Sequence, residues 1–418
     1  MVCRSWNRVL RRPHMWRGID ARTHHTIFSG AWLPACRRGD LTTAQRLVDQ
    51  FGYDNTATIR CDSTLMREVC DGGHLNVLRW FIDGLRISAR GMADSALRGA
   101  CAGGHLDIAQ WLVERFGAAA LNAREYGNEA LRSSCSNGHL EVAQWLTTTF
   151  KLTPADARTY QVETLQNASA GGHLHVVQWL TDHFGLTEAD VRLGGNAALH
   201  RACSNGHLAV ASWLADRFKL TADDARGGGN WALCEACEDG HLAVAKWLAD
   251  RFELTRADAR ARCSAPLRWA SANGHLKVAT WLAAAFRLTP ADARATNNFA
   301  LRMTCVRGHL DVATWLADTF RLTAKDARAD KNFALRMACV RGHLDVARWL
   351  VRAFGLGVKD VRAVDDFAMH GARARGHNEV VAWLTGEFKI VVESRPSDLQ
   401  DALSETDRAD RIGKTVWL

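Results

Sequence analysis

At 418 residues, with 47% hydrophobic and 23% charged side chains, the chain has a globular composition that excludes wholesale disorder. No run approaches the ~20 apolar residues that cross a bilayer. Arginines break up the apolar positions of the opening MVCRSWNRVLRRPHMW, which excludes a signal-peptide reading, so a cytoplasmic protein is expected. The net charge of +8 gathers at one end: residues 1–38 hold eight arginines against Asp20, which is +7 and leaves +1 for the rest. The basic stripe that nucleic acid would require along the chain is therefore missing.

Residues 1–28 come first. Val2-Cys3-Arg4-Ser5-Trp6 is followed by Pro13, seven residues after Trp6, and by Trp16 three later. This pattern resembles the C-terminal half of an F-box, a small helical bundle that docks on the adaptor of a cullin-based ubiquitin ligase. The resemblance implies Trp6 and Trp16 as adaptor contacts. Since Val2 follows Met1 directly, the family's Leu-Pro front half has no counterpart here, and adaptor docking is expected to be weak.

From residue 29 to 388 the sequence repeats. Gly-His-Leu recurs at glycines 73, 104, 138, 172, 206, 240, 274, 308 and 342; Gly39 heads an earlier Gly-Asp-Leu and Gly376 a later Gly-His-Asn. All intervals are 34 residues except one of 31, giving eleven repeats. Ten residues before each glycine stands Ser, Asp or Asn, as in Asn298, with Val162 the exception. Such side chains cap free N–H groups at helix starts, so a first helix is expected to begin there and to end at the glycine.

A second helix is expected over Leu310–Phe320 and its equivalents, where Leu310, Val312, Ala313, Leu316 and Phe320 recur at helical spacing. Trp315 stands beside them, and its slot holds tryptophan in ten repeats, Arg46 filling it in the first. Then comes Leu-Thr-x-x-Asp-Ala-Arg, as at 322–328. Thr followed three residues later by Asp resembles a capping box, and Pro154 and Pro290 sit at the first helical position, so a third short turn is expected and not a hairpin. One repeat cannot bury enough apolar surface to offset the ordering of its backbone. The repeats must stack as an all-α solenoid.

The unit N-x-A-L-R-x-A-C-x-x-G-H-L-x-V-A-x-W-L resembles the ankyrin repeat, T-P-L-H-x-A-A-x-x-G-H-x-x-V-V-x-x-L-L. It departs by x-A-L-R in place of T-P-L-H and by F-x-L-T-x-x-D-A-R in place of the hairpin. Trp-rich repeats of this kind with F-box ends resemble proteins of giant DNA viruses of protists, which would put the chain in host cytoplasm. What the resemblance implies is a protein–protein interaction scaffold, extended by the F-box to a substrate receptor of a ubiquitin ligase. The alternative is a plain ankyrin scaffold or inhibitor.

Eight of the twelve cysteines, such as Cys135, fill one slot three residues before the glycine, next to the histidine (His139). Ser169, Ser271 and Arg373 replace the cysteine without disturbing the period, so the slot reads as core and not as a metal site; no metal or cofactor is expected. The Asp-Ala-Arg column (Arg158 to Arg362) reads as a structural ladder neutralised within or between repeats. Gly413-Lys414-Thr415 lacks the glycine at 408 that a phosphate loop needs. No paired base or acidic dyad recurs, and no catalytic residue is expected.

One slot varies while its neighbours hold. Nine residues before the glycine stand Ser95, Glu129, Glu163, Ala197, Trp231, Ala265, Phe299, Phe333 and Phe367. Trp231, Phe299, Phe333 and Phe367, beside Arg302 and Arg336, have the composition of interface hot spots. They are expected to form the partner-binding strip; the alternative is packing between repeats. Last, residues 389–418 alternate acids with bases and are expected to cover the bare end of the array as a capping helix or tail.

Overall fold

The computed structural model describes residues 30–51, 63–85 and 92–390. They fall into two compact halves, one ending at Ala198 and one starting at Leu199. Among the described residues there is no strand, and the fold is an all-α array of stacked repeats. The segment 1–28 with its two tryptophans lies outside the described residues, as does the tail from 391 onward.

One repeat of the C-terminal half shows how the sequence builds the rest. The first helix spans Ala295–Val306 and is regular only beyond Asn298. It stops because Gly308 takes a left-handed φ of +81°, its N–H donating to the Cys305 carbonyl at 3.3 Å while the His309 N–H reaches Thr304 at 3.1 Å. That is the Schellman pattern, and it satisfies the carbonyls a helix end leaves free. A Cβ added at Gly308 would lie 2.6 Å from His343 Nδ1 of the next repeat. Glycine is required here twice over, by φ and by the ring stacked on it.

The histidines of this column bond back across the repeat boundary. His105 Nε2 lies 3.0 Å from the Asp71 carbonyl and His74 Nε2 3.1 Å from that of Arg37. Burial holds His275, His309 and His343 below the ordinary imidazole range. Neutral rings stitch successive first helices.

The second helix, Leu310–Phe320, buries Val312, Ala313, Leu316 and Phe320. Trp315 packs edge-on against Phe320, ring centroids 5.6 Å apart, and the same pair recurs in eight successive repeats from Trp145–Phe150 to Trp383–Phe388. Cys305 and Cys339 are buried, and burial raises their thiol pKa values, which suits a small core residue and not a nucleophile.

The third turn, Ala324–Ala327, is a capping box as the Thr-x-x-Asp spacing predicts. Asp326 Oδ2 accepts the Thr323 N–H at 2.8 Å and its hydroxyl at 3.0 Å. Both Asp326 oxygens also accept from Arg294, the arginine of the repeat before. The ladder therefore runs between repeats, from each arginine to the aspartate 32 residues on: Arg124–Asp156 and Arg158–Asp190 in one half, Arg226–Asp258, Arg260–Asp292, Arg294–Asp326 and Arg328–Asp360 in the other. Arg362 turns instead to Asp366, four residues on in its own repeat, at 2.8 and 2.9 Å.

The helix start corrects the sequence reading. Asn298 is not a side-chain cap. It is the third of three left-handed residues, Thr296, Asn297 and Asn298, with φ of 53°, 56° and 57°. The same turn recurs at 126–128, 160–162, 194–196, 228–230, 262–264, 330–332 and 364–366. The Oδ1 atoms of Asn128, Asn230, Asn298 and Asn332 are buried without a donor, so they cap nothing. The other end of the side chain reaches the short turn that closes its own repeat: Asn230 Nδ2 donates to Asp258 Oδ1 at 3.2 Å, and Asn128 Nδ2 to the Asp156 carbonyl at 3.3 Å.

Candidate partner-binding surface

A left-handed turn costs an L-residue roughly 1–2 kcal/mol per position, so three in a row must be held by their surroundings. In four repeats an arginine six residues before the repeat's glycine does this, and in another Gln166 donates from the same position to the Gln161 carbonyl at 2.8 Å. Arg302 Nε donates to the Asn297 carbonyl at 2.8 Å and Nη2 to that of Thr296 at 3.4 Å. Arg132, Arg268 and Arg336 fork in the same way onto Gly127 and Tyr126, Cys263 and Arg262, Lys331 and Asp330. The planar, five-donor guanidinium fits two neighbouring carbonyls where an ammonium would reach one.

Each such arginine then lies against an aromatic ring of the following repeat, and Arg302 takes an acid there as well. Arg302 bonds Asp330 and lies 5.2 Å from the Phe333 ring centroid. Arg336 lies 4.9 Å from Phe367, and Arg268 5.0 Å from Phe299. This geometry corrects the expected strip. Phe299, Phe333 and Phe367 are only 4%, 7% and 7% exposed. They form one apolar layer with Trp269, Met303, Met337, Val306 and Val340. Arg302 and Arg336 are committed to the turns they brace. A slot that varies beside constant neighbours fits a packing layer as well as a surface, and here it is packing. Trp231 differs: it is only partly buried, with Arg262 5.3 Å from its ring.

In the N-terminal half the two groups exchange places. Arg98 ion-pairs with Glu129 and lies 4.7 Å from the Tyr126 ring; Arg132 ion-pairs with Glu163 and lies 5.2 Å from Tyr160. The acid now occupies the inner slot, nine before the glycine, and the aromatic ring the outer one, twelve before it. Tyr126 and Tyr160 are consequently 64% exposed, in spite of backbone φ values of 51° and 48° that bulky residues rarely accept. Leu193, 41% exposed, stands beside the next such turn. These three are exposed large apolar residues on three consecutive turns.

The sequence reading missed both tyrosines because it followed the slots inside the first helix, and theirs lies ahead of it. The usable signal was their 34-residue separation, each preceding the helix at the same register. Ionic groups around them are paired: Arg98 also bonds Glu125, Arg124 bonds Asp156, and Arg158 bonds Asp190. The surface is aromatic and locally neutral. Among the described residues no group of three or more His, Cys, Asp or Glu side chains could hold a metal ion, and no helix is long and apolar enough to cross a membrane.

The family described as "Ankyrin repeats (3 copies)" matches this chain over residues 65–156, 148–224 and 267–363, more than half its length. No curated protein matches it.

Proposed function

The chain belongs to the ankyrin-repeat family, and from that premise we propose that it is a scaffold that captures a protein partner on the left-handed turns ahead of its first helices. Tandem ankyrin repeats are protein–protein interaction modules. The observation that carries the choice of surface is the pair Tyr126 and Tyr160, exposed on strained backbone at equal register. Strained residues persist where the surrounding structure holds them, and they cluster at sites of function. In the C-terminal half we assign a separate anchor, Trp231, partly buried at the start of its helix. Within the C-terminal half, Phe299, Phe333 and Phe367 seat Arg302 and Arg336, which brace the turns of that half.

A photo-crosslinking residue placed at 126, 160 or 231 should trap a protein partner, while the same residue on the second helices, at 144 or 348, should not. Trapping only from the second helices would defeat this choice of surface.

The F-box resemblance of residues 1–28 supports the finer reading of a substrate receptor that hands its cargo to a cullin-based ubiquitin ligase. Trp6 and Trp16 would anchor the adaptor. Weak binding of the adaptor is the expected result, and robust co-purification that is lost on Trp6→Ala would show the docking to be stronger than expected. If the adaptor never co-purifies, the chain is a plain ankyrin scaffold or inhibitor.

A further inference from the structure

We infer that the Tyr126–Tyr160 ridge binds a proline-rich segment in the polyproline II conformation, with prolines three residues apart seated on successive tyrosine rings. The inference rests on the scaffold reading above and supplies the chemistry of its partner.

Spacing is the first ground. The two tyrosines occupy the same place in neighbouring repeats, whose first helices pack side by side, and packed helices lie about 8–10 Å apart. A polyproline II helix has three residues per turn and rises 3.1 Å for each, so it advances about 9 Å per turn. One proline per turn therefore keeps step with one tyrosine per repeat. An extended β-strand brings its side chains back to one face every two residues, about 7 Å apart, and drifts out of step.

Chemistry is the second ground. A docked strand needs backbone donors and acceptors along an open edge, and these turns offer few. Arg132 already takes the carbonyls of Tyr126 and Gly127, and Gln166 takes that of Gln161. A polyproline II segment asks for fewer, since its backbone groups stay solvated, each proline has no N–H to satisfy and its fixed φ leaves little entropy to lose on docking. Charge complementarity points the same way. The cations and carboxylates beside the rings neutralise one another in pairs, so neither an acidic nor a basic peptide gains a field here.

Preorganisation is the third. Tyr160 lies across Gly127, so closely that a Cβ added to that glycine would overlap the ring. The arginines back both rings from the side of the helix. The aromatic faces stand ready without a change in the chain, as rigid platforms for proline recognition do.

The test uses the full chain and fluorescence anisotropy of an uncharged peptide with proline at every third position over about four polyproline turns. Controls are a peptide of the same composition with its prolines bunched at one end, and an acidic peptide of equal length. The spaced peptide should bind, and the double variant Tyr126→Gly, Tyr160→Gly should weaken it at least tenfold. Glycine occupies the same turn position at Gly194 and Gly228, so the double variant should melt no lower than the parent. Equal binding of the bunched or acidic peptide would overturn the inference. So would undiminished binding by the double variant, or a double variant that unfolds, since either assigns the rings to packing. Sedimentation of the chain alone covers the remaining occupant: self-association abolished by the double variant would make a second copy the ligand and also overturn it. Should the peptide fail while crosslinking at 126 or 160 still traps a protein, the scaffold reading stands and this inference falls.

Discussion

Arg294 closes on both carboxylate oxygens of Asp326 in the following repeat, Nε to Oδ1 at 2.7 Å and Nη2 to Oδ2 at 2.9 Å. The aspartate is 5% exposed and also caps its own short turn through Thr323, while the arginine side chain stays half in water. Two kinds of bond therefore meet at one carboxylate, one holding the turn and one holding two repeats together. Removal of either partner strands a different group. Arg294→Ala leaves a buried carboxylate without its cation, and Asp326→Asn leaves a solvated arginine with a weaker acceptor. A double-mutant cycle in urea should give a coupling of about 1–3 kcal/mol, with the single variant Arg294→Ala the worse of the two.

The ladder also sets the acid limit of the fold. The Arg294 and Thr323 bonds hold Asp326 down at about 2 despite its burial, and Asp190, Asp258 and Asp292 are held to the same level by their own partners. A carboxylate lowered on folding contributes stability that is present above its unfolded pKa of 3.8 and is lost as the pH falls toward 2. Arg294→Ala should move the onset of acid unfolding upward, because Asp326 then takes up a proton sooner. Acid titration followed by circular dichroism reads the shift, and an unchanged onset would remove the arginine from the account.

Two carboxylates work in the opposite sense. Burial, its largest cause, raises Glu235 and Glu238 to about 7, with Asp239 adding to it and Arg201, Arg262 and Arg307 pulling against it. The folded chain thus holds protons that the unfolded chain has released above 4.5, and stability should fall as the pH rises from 4.5 toward 7. Glu235→Gln together with Glu238→Gln should flatten that slope and leave the acid limb unchanged. Urea midpoints measured across the window decide the point.

The three phenylalanines carry a fourth expectation. Burial with Trp269, Met303 and Met337 makes each ring core, and a buried Phe→Ala change costs about 3–5 kcal/mol. Phe333→Ala alone should lower the melting temperature clearly, and Phe299, Phe333 and Phe367 changed together should unfold the repeats they join. A triple variant that melts like the parent would return these rings to the surface.

What the sequence could and could not show divides along physical lines. Period, helices and the Thr323–Asp326 box were readable because each rests on chemistry within a few residues or on a fixed register. Arginine pairing was half readable. Neutrality showed that Arg294 had an acid, but the nearest in sequence was Asp292, and stacking chose Asp326. Asn298 misled because Ser, Asp and Asn favour helix caps and Asn and Asp also tolerate left-handed backbone, for related reasons of short polar side chains. The clue lay in Gly194-Gly195-Asn196 and Gly228-Gly229-Asn230, where two glycines before the asparagine ask for a run of positive φ. Phe333 misled because a variable slot flanked by constant ones describes an interlayer and an interface alike. Tyr126 and Tyr160 needed the arginine's demand for one ring and one acid, and that demand is visible only in three dimensions.

The one exception in the asparagine column gives the sharpest case. Val162 holds φ of +64° while buried to 1% exposure, and a β-branched residue is strained there more than any other kind. Its neighbours show what the slot is built for. Asn230 reaches Asp258 at 3.2 Å, and Ser264 reaches Asp292 at 3.3 Å, each bonding the aspartate 28 residues on. Asp190 is the aspartate 28 residues after Val162, already held by Arg158 and Thr187. Val162→Asn should therefore relieve left-handed strain and add a bond to Asp190, against the loss of a few buried methyl contacts. Strain relief is worth about 1 kcal/mol and a bond to a carboxylate about as much again, and the lost apolar burial offsets roughly half of the sum. The net expectation is a gain near 1 kcal/mol in urea unfolding. The reverse change, Asn230→Val, loses the bond and takes on the strain, and should cost about 2 kcal/mol or more. If both variants were destabilised alike, the turns would be held by other contacts, such as Gln166 on the Gln161 carbonyl, and the buried column would have no say in their backbone.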